Sequence, residues 1–176
     1  GYGGMGSFHA KLIQANPEVE VHGIFDISES RQQAGEADGY SAYASLEEAL
    51  NDACADTILI ATPNDVHKEI AVQALEAGKH VICEKPVTLN SEELSEIMHT
   101  AKEHERVFMV HQNRRWDSDF QMVKDLYENR KIGEVFHIES RAQGANGILG
   151  DWRHLKAHGG GMLLDWGVHL LDQLLY

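Results

Sequence analysis

Cysteine is scarce in this chain: 176 residues hold two, Cys54 and Cys83, and they form no CxxC pair. So few thiols cannot staple a fold, which excludes a disulfide-built secreted scaffold. Both stand among apolar neighbours and are expected to be buried thiols of a reducing compartment. Basic residues are also few, 15 against 28 acidic ones, for a formal net charge of −13. A phosphate backbone needs a basic face, so nucleic-acid binding has no support. The same balance offers no attraction to anionic membrane surfaces. No apolar run reaches the roughly 18 residues of a membrane helix, and no basic-then-apolar leader opens the sequence. Internal repeats and low-complexity tracts are missing too. The expectation is a cytoplasmic protein without nucleic-acid or membrane partners, its acidity serving solubility.

What is present is a 43% hydrophobic content, enough for one good core and part of a second. The glycine-rich start leads into a short helix ending near Asn16-Pro17, and VEVHGIFDI reads as a strand. Ser45-Leu46-Glu47-Glu48 is a capping box that starts a helix, and Asn90 with Glu93 is a second, for a helix over Ser91–Glu103. DTILIAT, KHVICEKP and VFMVHQ are short apolar runs of the kind that form strands covered on both faces. A helix from about Asp65 ends at Gly78, where a glycine C-terminal cap belongs. A helix over 118–130, a turn at Gly133 and a strand in VFHIESRA follow. Strand–helix alternation in units of 20 to 30 residues argues for a parallel sheet flanked by helices, in an α/β chain. A first α/β domain is assigned to 1–114 and the start of a second to 115–176. Both ends read as cut: no strand precedes the glycine turn, and the second domain stops inside a helix. A fragment of a longer protein is expected.

Gly1-Tyr2-Gly3-Gly4-Met5-Gly6 fits GxGxxG. Gly1 allows the tight turn, Gly3 lets backbone approach a pyrophosphate, and Gly6 lets the helix pack closely. Asp26 ends the next strand, twenty residues after Gly6, where a carboxylate accepts from both ribose hydroxyls and repels a 2′-phosphate. NAD is therefore favoured over NADP; as an alternative, Asp26 caps the following SESRQQ helix. Thr62-Pro63-Asn64 and Glu84-Lys85-Pro86 leave the carboxyl ends of successive strands, where open α/β sheets bind ligands. Lys85 is aimed at such a ligand, unless it is a surface lysine paired with Glu84. Further on, GGGMLLDWGVHLLD carries Asp165, His169 and Asp172 at i, i+4 and i+7 of an otherwise apolar segment. Such a helix belongs in a core, with the three polar residues in one seam.

Together the glycine turn, Asp26, TPND with His67, EKP and the late GGGMLLDWGVHLLD resemble the Gfo/Idh/MocA oxidoreductases. EKP about 80 residues ahead of the DWGVH segment is a specific pairing, and the resemblance covers nearly the whole chain. It implies an N-terminal Rossmann domain and a C-terminal α/β domain whose open sheet binds substrate and makes a homo-oligomer. It implies hydride transfer between a sugar, cyclitol or related polyol and nicotinamide. By resemblance Lys85, Asp165 and His169 are catalytic, with His169 as acid/base and Asp165 steering the substrate or biasing the imidazole. Thr62, Pro63, Asn64, His67, Glu84 and Lys85 join Gly1, Gly3, Gly6 and Asp26 near the cofactor. Arg115, Trp152 and Arg153 join the catalytic three at the substrate, and Asp172 is left as structural. An NAD-using glycosidase or lyase of the same fold and a non-catalytic dinucleotide sensor are the alternatives. A metal centre from His154, His158, Asp165 and His169 is a weaker rival, without HExxH or a cysteine pair, and no metal is expected.

Overall fold

The structure is a computed structural model that describes residues 1–144, 147 and 150–176. It comprises two compact units, Gly1–Val110 and His111–Tyr176. In the first, helices and strands alternate: α1 (Gly4–Gln14), β1 (Gly23–Ile24), α2 (Glu29–Ala37), β2 (Ser41–Ala42), α3 (Leu46–Asn51), β3 (Thr57–Ile60), α4 (His67–Glu76), β4 (His80–Cys83), α5 (Ser91–Glu103) and β5 (Phe108–Val110). All strand pairs are parallel, as helical crossovers require.

They form two sheets, β1-β2 and β3-β4-β5, rather than one. A doubly wound sheet runs 3-2-1-4-5-6. The division between β1 and β3 falls where that order has its first strand, and among the described residues none precedes α1. β1 is accordingly bonded on one side only and shrinks to two residues of the nine-residue run.

The main core packs α4 and α5 on β3 and β4, with Ile60, Leu75, Val81, Cys83 and Ile97 at its centre. Each such aliphatic side chain contributes about 1.5–3 kcal/mol through burial. A smaller cluster of Tyr2, Ala10 and Ile24 seats α1 and the glycine turn beside β1. Burial pushes the Cys83 thiol up to about 12, so it behaves as an inert apolar group. Cys54, by contrast, is exposed. It lies in the turn after α3, outside the apolar run that begins at Thr57, so its expected burial does not hold.

Local chemistry sets the helix ends. Ser45 Oγ accepts from the Glu48 N–H at 3.0 Å, and Glu48 returns to the Ala44 N–H at 2.6 Å. Asn90 Oδ1 accepts from the Glu93 N–H at 2.9 Å, and Glu93 returns to the Leu89 N–H at 3.0 Å. In both boxes the glutamate reaches one residue further back than the simplest form of the motif. Gly78, at φ +77°, ends α4 in the left-handed conformation that favours glycine.

The second unit holds α6 (Ser118–Glu128), short 3₁₀ turns, a π-helical turn over Leu163–Gly167 and α7 (Val168–Leu175). The strand expected in VFHIESRA is not formed: no described strand lies alongside it, and Phe136 is 97% exposed. Extended chain without a ladder partner is not held as a strand. The apolar faces of the last helix are uncovered as well, with Leu171 at 53% and Leu175 at 87% exposure, so the expected core helix buries only His169.

Asn90→Ala in the full-length protein is expected to lower the stability of the unit carrying α5 by about 1 kcal/mol. A urea titration should show the midpoint falling at constant slope, and an unmoved midpoint would remove the cap from this account.

Candidate cofactor and active site

The glycine turn is made by close approach of backbone. A Cβ on Gly6 would lie 2.0 Å from the Gly1 carbonyl oxygen, and one on Gly1 would lie 2.8 Å from the Ala61 carbonyl oxygen. Backbone obstacles cannot swing aside, so any side chain here displaces either α1 or the carboxyl end of β3. Gly3 is the N-cap of α1 and no side chain caps the helix. A Cβ on Gly4 would meet nothing within 4 Å. An uncapped helix start with open space beside it is suited to a diphosphate, through its N–H groups and positive dipole end.

Asp26 is 4% exposed, and its carboxylate is already in use. Oδ2 accepts from the Tyr2 N–H at 2.8 Å and Oδ1 from the Ser28 N–H at 2.8 Å, with Arg31 Nη1 3.5 Å from Oδ2. The carboxylate therefore ties the end of the β1 segment to the glycine turn. Three of its roughly four lone-pair sites are thus engaged, and one on Oδ1 remains for a ribose hydroxyl. The Asp26 carbonyl also accepts from Gln32 Nε2 at 2.6 Å. Tyr2, buried behind the turn, donates its hydroxyl to Asp38 at 2.7 Å, and burial with that contact pushes its pKa up to about 12.

Two residues the sequence did not single out belong to this region. The Arg31 guanidinium lies over the turn, its Nη1 3.4 Å from where a Gly3 Cβ would be. Its one signal was a cation five residues after the acid. His9 on α1 meets Glu84 through Nε2 and Oε1 at 2.6 Å, both side chains 8% exposed. That pair spans 75 residues of sequence and left no local signal.

At the carboxyl ends of β3 and β4 the side chains brace loops. Thr62 Oγ1 is buried and has no hydrogen-bond partner among the described residues. A partnerless buried hydroxyl beside the glycine turn is what a bound polar ligand would satisfy. Asn64 is buried and opens the 3₁₀ turn that Pro63 precedes. His67, assigned to the cofactor by resemblance, is wholly buried; Nδ1 faces the Pro86 carbonyl at 2.9 Å and Nε2 the Thr62 carbonyl at 3.0 Å. Burial pushes its pKa below the usual value, against the pull of both carbonyls. Its ring thus joins the Thr62 and Pro86 loops. Glu84 uses Oε2 to accept from the Lys85 N–H at 3.2 Å, and the Lys85-Pro86 peptide is cis. Lys85 itself is half-buried.

In the second unit the three glycines each have a reason. Gly159 and Gly161 take φ +67° and +125°, and a Cβ on Gly160 would lie 2.3 Å from the Arg153 carbonyl oxygen. The chain so folded brings Arg153 Nε to 3.9 Å from Asp165 Oδ1, while its Nη1 pairs with Asp151 at 2.5 Å. The Arg153 guanidinium stacks on Trp152, 4.5 Å from the ring centre. The turn carrying Asp165 is π-helical, so Asp165 and His169 are not stacked as in a straight α-helix. His169 is 4% exposed with the Trp166 ring edge-on at 6.1 Å. Asp172 holds Arg115 bidentately, at 2.7 Å to Nε and 2.6 Å to Nη2. Arg115 thereby commits two of its five donors to this pair. His154 and His158 fall in separate 3₁₀ turns, so they do not stack as a helical i, i+4 pair.

Comparison with known proteins places this geometry. Residues 1–112 match the family described as "Oxidoreductase family, NAD-binding Rossmann fold", and residues 120–176 match the "GFO/IDH/MocA C-terminal domain". The solved structure of an NAD-binding protein from Listeria innocua superposes with a TM-score of 0.97 at 62% identity, over 99% of this chain and 52% of that one. GenD2 from gentamicin A biosynthesis, solved in complex with NAD, superposes with a TM-score of 0.85 at 28% identity, over 98% of this chain and 50% of that one. The uncharacterized oxidoreductase YdgJ of Escherichia coli K12 is 38% identical over 96% of this chain and 49% of its own length. More distant relatives bear the names scyllo-inositol 2-dehydrogenase (NADP(+)) (Bacillus subtilis, 30%), myo-inositol 2-dehydrogenase (Thermotoga maritima, 29%) and D-glucoside 3-dehydrogenase (Escherichia coli, 28%). The chain spans about half the length of the curated relatives it matches. Its glycine turn, buried acid and parallel strands are those of an NAD-binding Rossmann domain, and the chain belongs to the Gfo/Idh/MocA oxidoreductase family.

Proposed function

We propose that this chain is part of an NAD-dependent dehydrogenase acting on a hydroxyl of a sugar, cyclitol or related polyol. The observation that carries the reading is the glycine turn held by Asp26, with the partnerless Thr62 hydroxyl beside it. The substrate class is supported by relatives named for inositols and a glucoside. Bound NAD supplies the hydride acceptor at nicotinamide C4. The chain's own residues supply the proton chemistry. His169 accepts the hydroxyl proton at an imidazole nitrogen, histidine being the commonest side chain for positioned proton transfer. The Lys85 ammonium stabilises the developing alkoxide. Asp165 steers the substrate, and Arg115, Trp152 and Arg153 bind it. The native protein is proposed to be a homo-oligomer.

NAD is expected to bind at least tenfold more tightly than NADP, or about 1.4 kcal/mol. Asp26→Ser removes the acceptor of the Tyr2 N–H and weakens both cofactors, so the readout is the ratio. Removing the charge that repels a 2′-phosphate, while Arg31 stays, should narrow or reverse it. Equal affinity for both cofactors in the unaltered full-length protein would contradict the preference.

A panel of polyols, aldoses and nucleotide sugars, followed by reduced-cofactor absorbance in the full-length enzyme, tests the substrate class. On the best substrate, His169→Ala should lower turnover by roughly 10² to 10⁴ and leave NAD affinity nearly unchanged. Lys85→Met should also lower turnover, and the two losses should not add, since both serve one transition state. A His169→Ala enzyme that melts early yet turns over normally would reduce the histidine to packing.

A further inference from the structure

We propose that His22, Asp52 and Cys54 form a binding site for one zinc-class divalent cation, on the first unit and independent of the hydride-transfer reading. His22 immediately precedes β1, Asp52 caps the C-terminus of α3, and Cys54 follows in the turn toward β3. The ring nitrogen, the carboxylate oxygen and the thiol sulfur all lie within 4.8 Å of one another. His22 Nε2 is 3.2 Å from Asp52 Oδ2. Metal–ligand bonds of about 2.0–2.3 Å in a tetrahedron put ligand atoms about 3.3–3.8 Å apart, within reach of a small rotation of two exposed side chains. Sulfur, imidazole and carboxylate together select zinc and its neighbours over calcium or magnesium. A thiolate and a carboxylate balance the charge of a divalent ion, and the exposure of His22 and Cys54 leaves a position for water.

The surroundings are built to hold these groups. Tyr43 donates its hydroxyl to Asp52 Oδ2 at 2.6 Å, fixing the carboxylate as outer-shell partners of metal ligands do. The Tyr43 ring can lie there because residue 23 is glycine: a Cβ on Gly23 would be 2.5 Å from the ring. Asp52 Oδ1 accepts from the Cys54 N–H at 2.8 Å. The Lys79 ammonium joins the Asp52 and Ala55 carbonyls at 2.5 and 2.7 Å, closing the turn. Lys79 opposes a nearby cation, and its ammonium is turned onto those two carbonyls. Ligands at positions 22, 52 and 54 have no motif spacing, so only the fold brings them together.

The test titrates cobalt(II), a spectroscopic substitute for zinc, into metal-free, reduced full-length protein. One equivalent should bind with a thiolate-to-cobalt charge-transfer band, and zinc should displace it. Cys54→Ser should abolish the band, and His22→Gln should weaken binding at least tenfold. Tyr43→Phe should weaken it about tenfold through the carboxylate. His104→Gln, an exposed histidine elsewhere, should change nothing. A parent protein without the thiolate band, or titrations unmoved by both Cys54→Ser and His22→Gln, would overturn the site.

Discussion

A carbonyl oxygen 2.0 Å from where Gly6 would carry a Cβ governs the first unit. That contact is possible only for glycine, and it sets α1 directly behind the turn, its N-terminus uncapped. Asp26 then fastens the turn from the other side by accepting the Tyr2 N–H. One backbone approach and one carboxylate thus decide where the helix dipole, the acid and the end of β3 stand. The strand-end residues depend on the same arrangement, because Gly1 rests on Ala61, one residue before Thr62.

The carboxylate's two duties illuminate its burial. A surface acid that met only a ribose would have no reason to be 4% exposed. Asp26 is buried because the turn needs an acceptor, and one lone-pair site on Oδ1 is left over. Arg31 stands near both the carboxylate and Gly3. An acid there repels a 2′-phosphate and a cation attracts one, so the two side chains pull the cofactor preference in opposite directions.

Much of this was legible in the sequence wherever the cause is local. Capping boxes at Ser45 and Asn90, the Gly78 stop and the strands at Thr57–Ile60 and His80–Cys83 follow from neighbours within a few residues. Long-range partners were not legible. His9 with Glu84, His67 between two loop carbonyls, and Arg115 with Asp172 are set by topology; His9 carried no signal, and Glu84, His67 and Arg115 suggested only a ligand-facing role. The π-helical turn at Leu163–Gly167 broke the expected α-helical seam, because the 3.6-residue period cannot reveal one extra residue in a turn. Apolar composition also misled where it announced a core: Phe136 and Leu175 are greasy and exposed.

The chemistry divides as the structure does. The first unit holds the uncapped helix start, the buried Asp26 and Lys85; the second holds His169, with Asp165 in a π-helical turn of the sort that recurs at functional sites. The central claim is that hydride passes from a carbinol carbon to nicotinamide. It is tested most directly by incubating full-length protein with NAD and a turned-over polyol deuterated at that carbon, then weighing the cofactor. The account predicts reduced cofactor carrying the deuterium and a slower rate with the labelled substrate. Reduced cofactor without the label, or product formed with no net reduction of NAD, would contradict it.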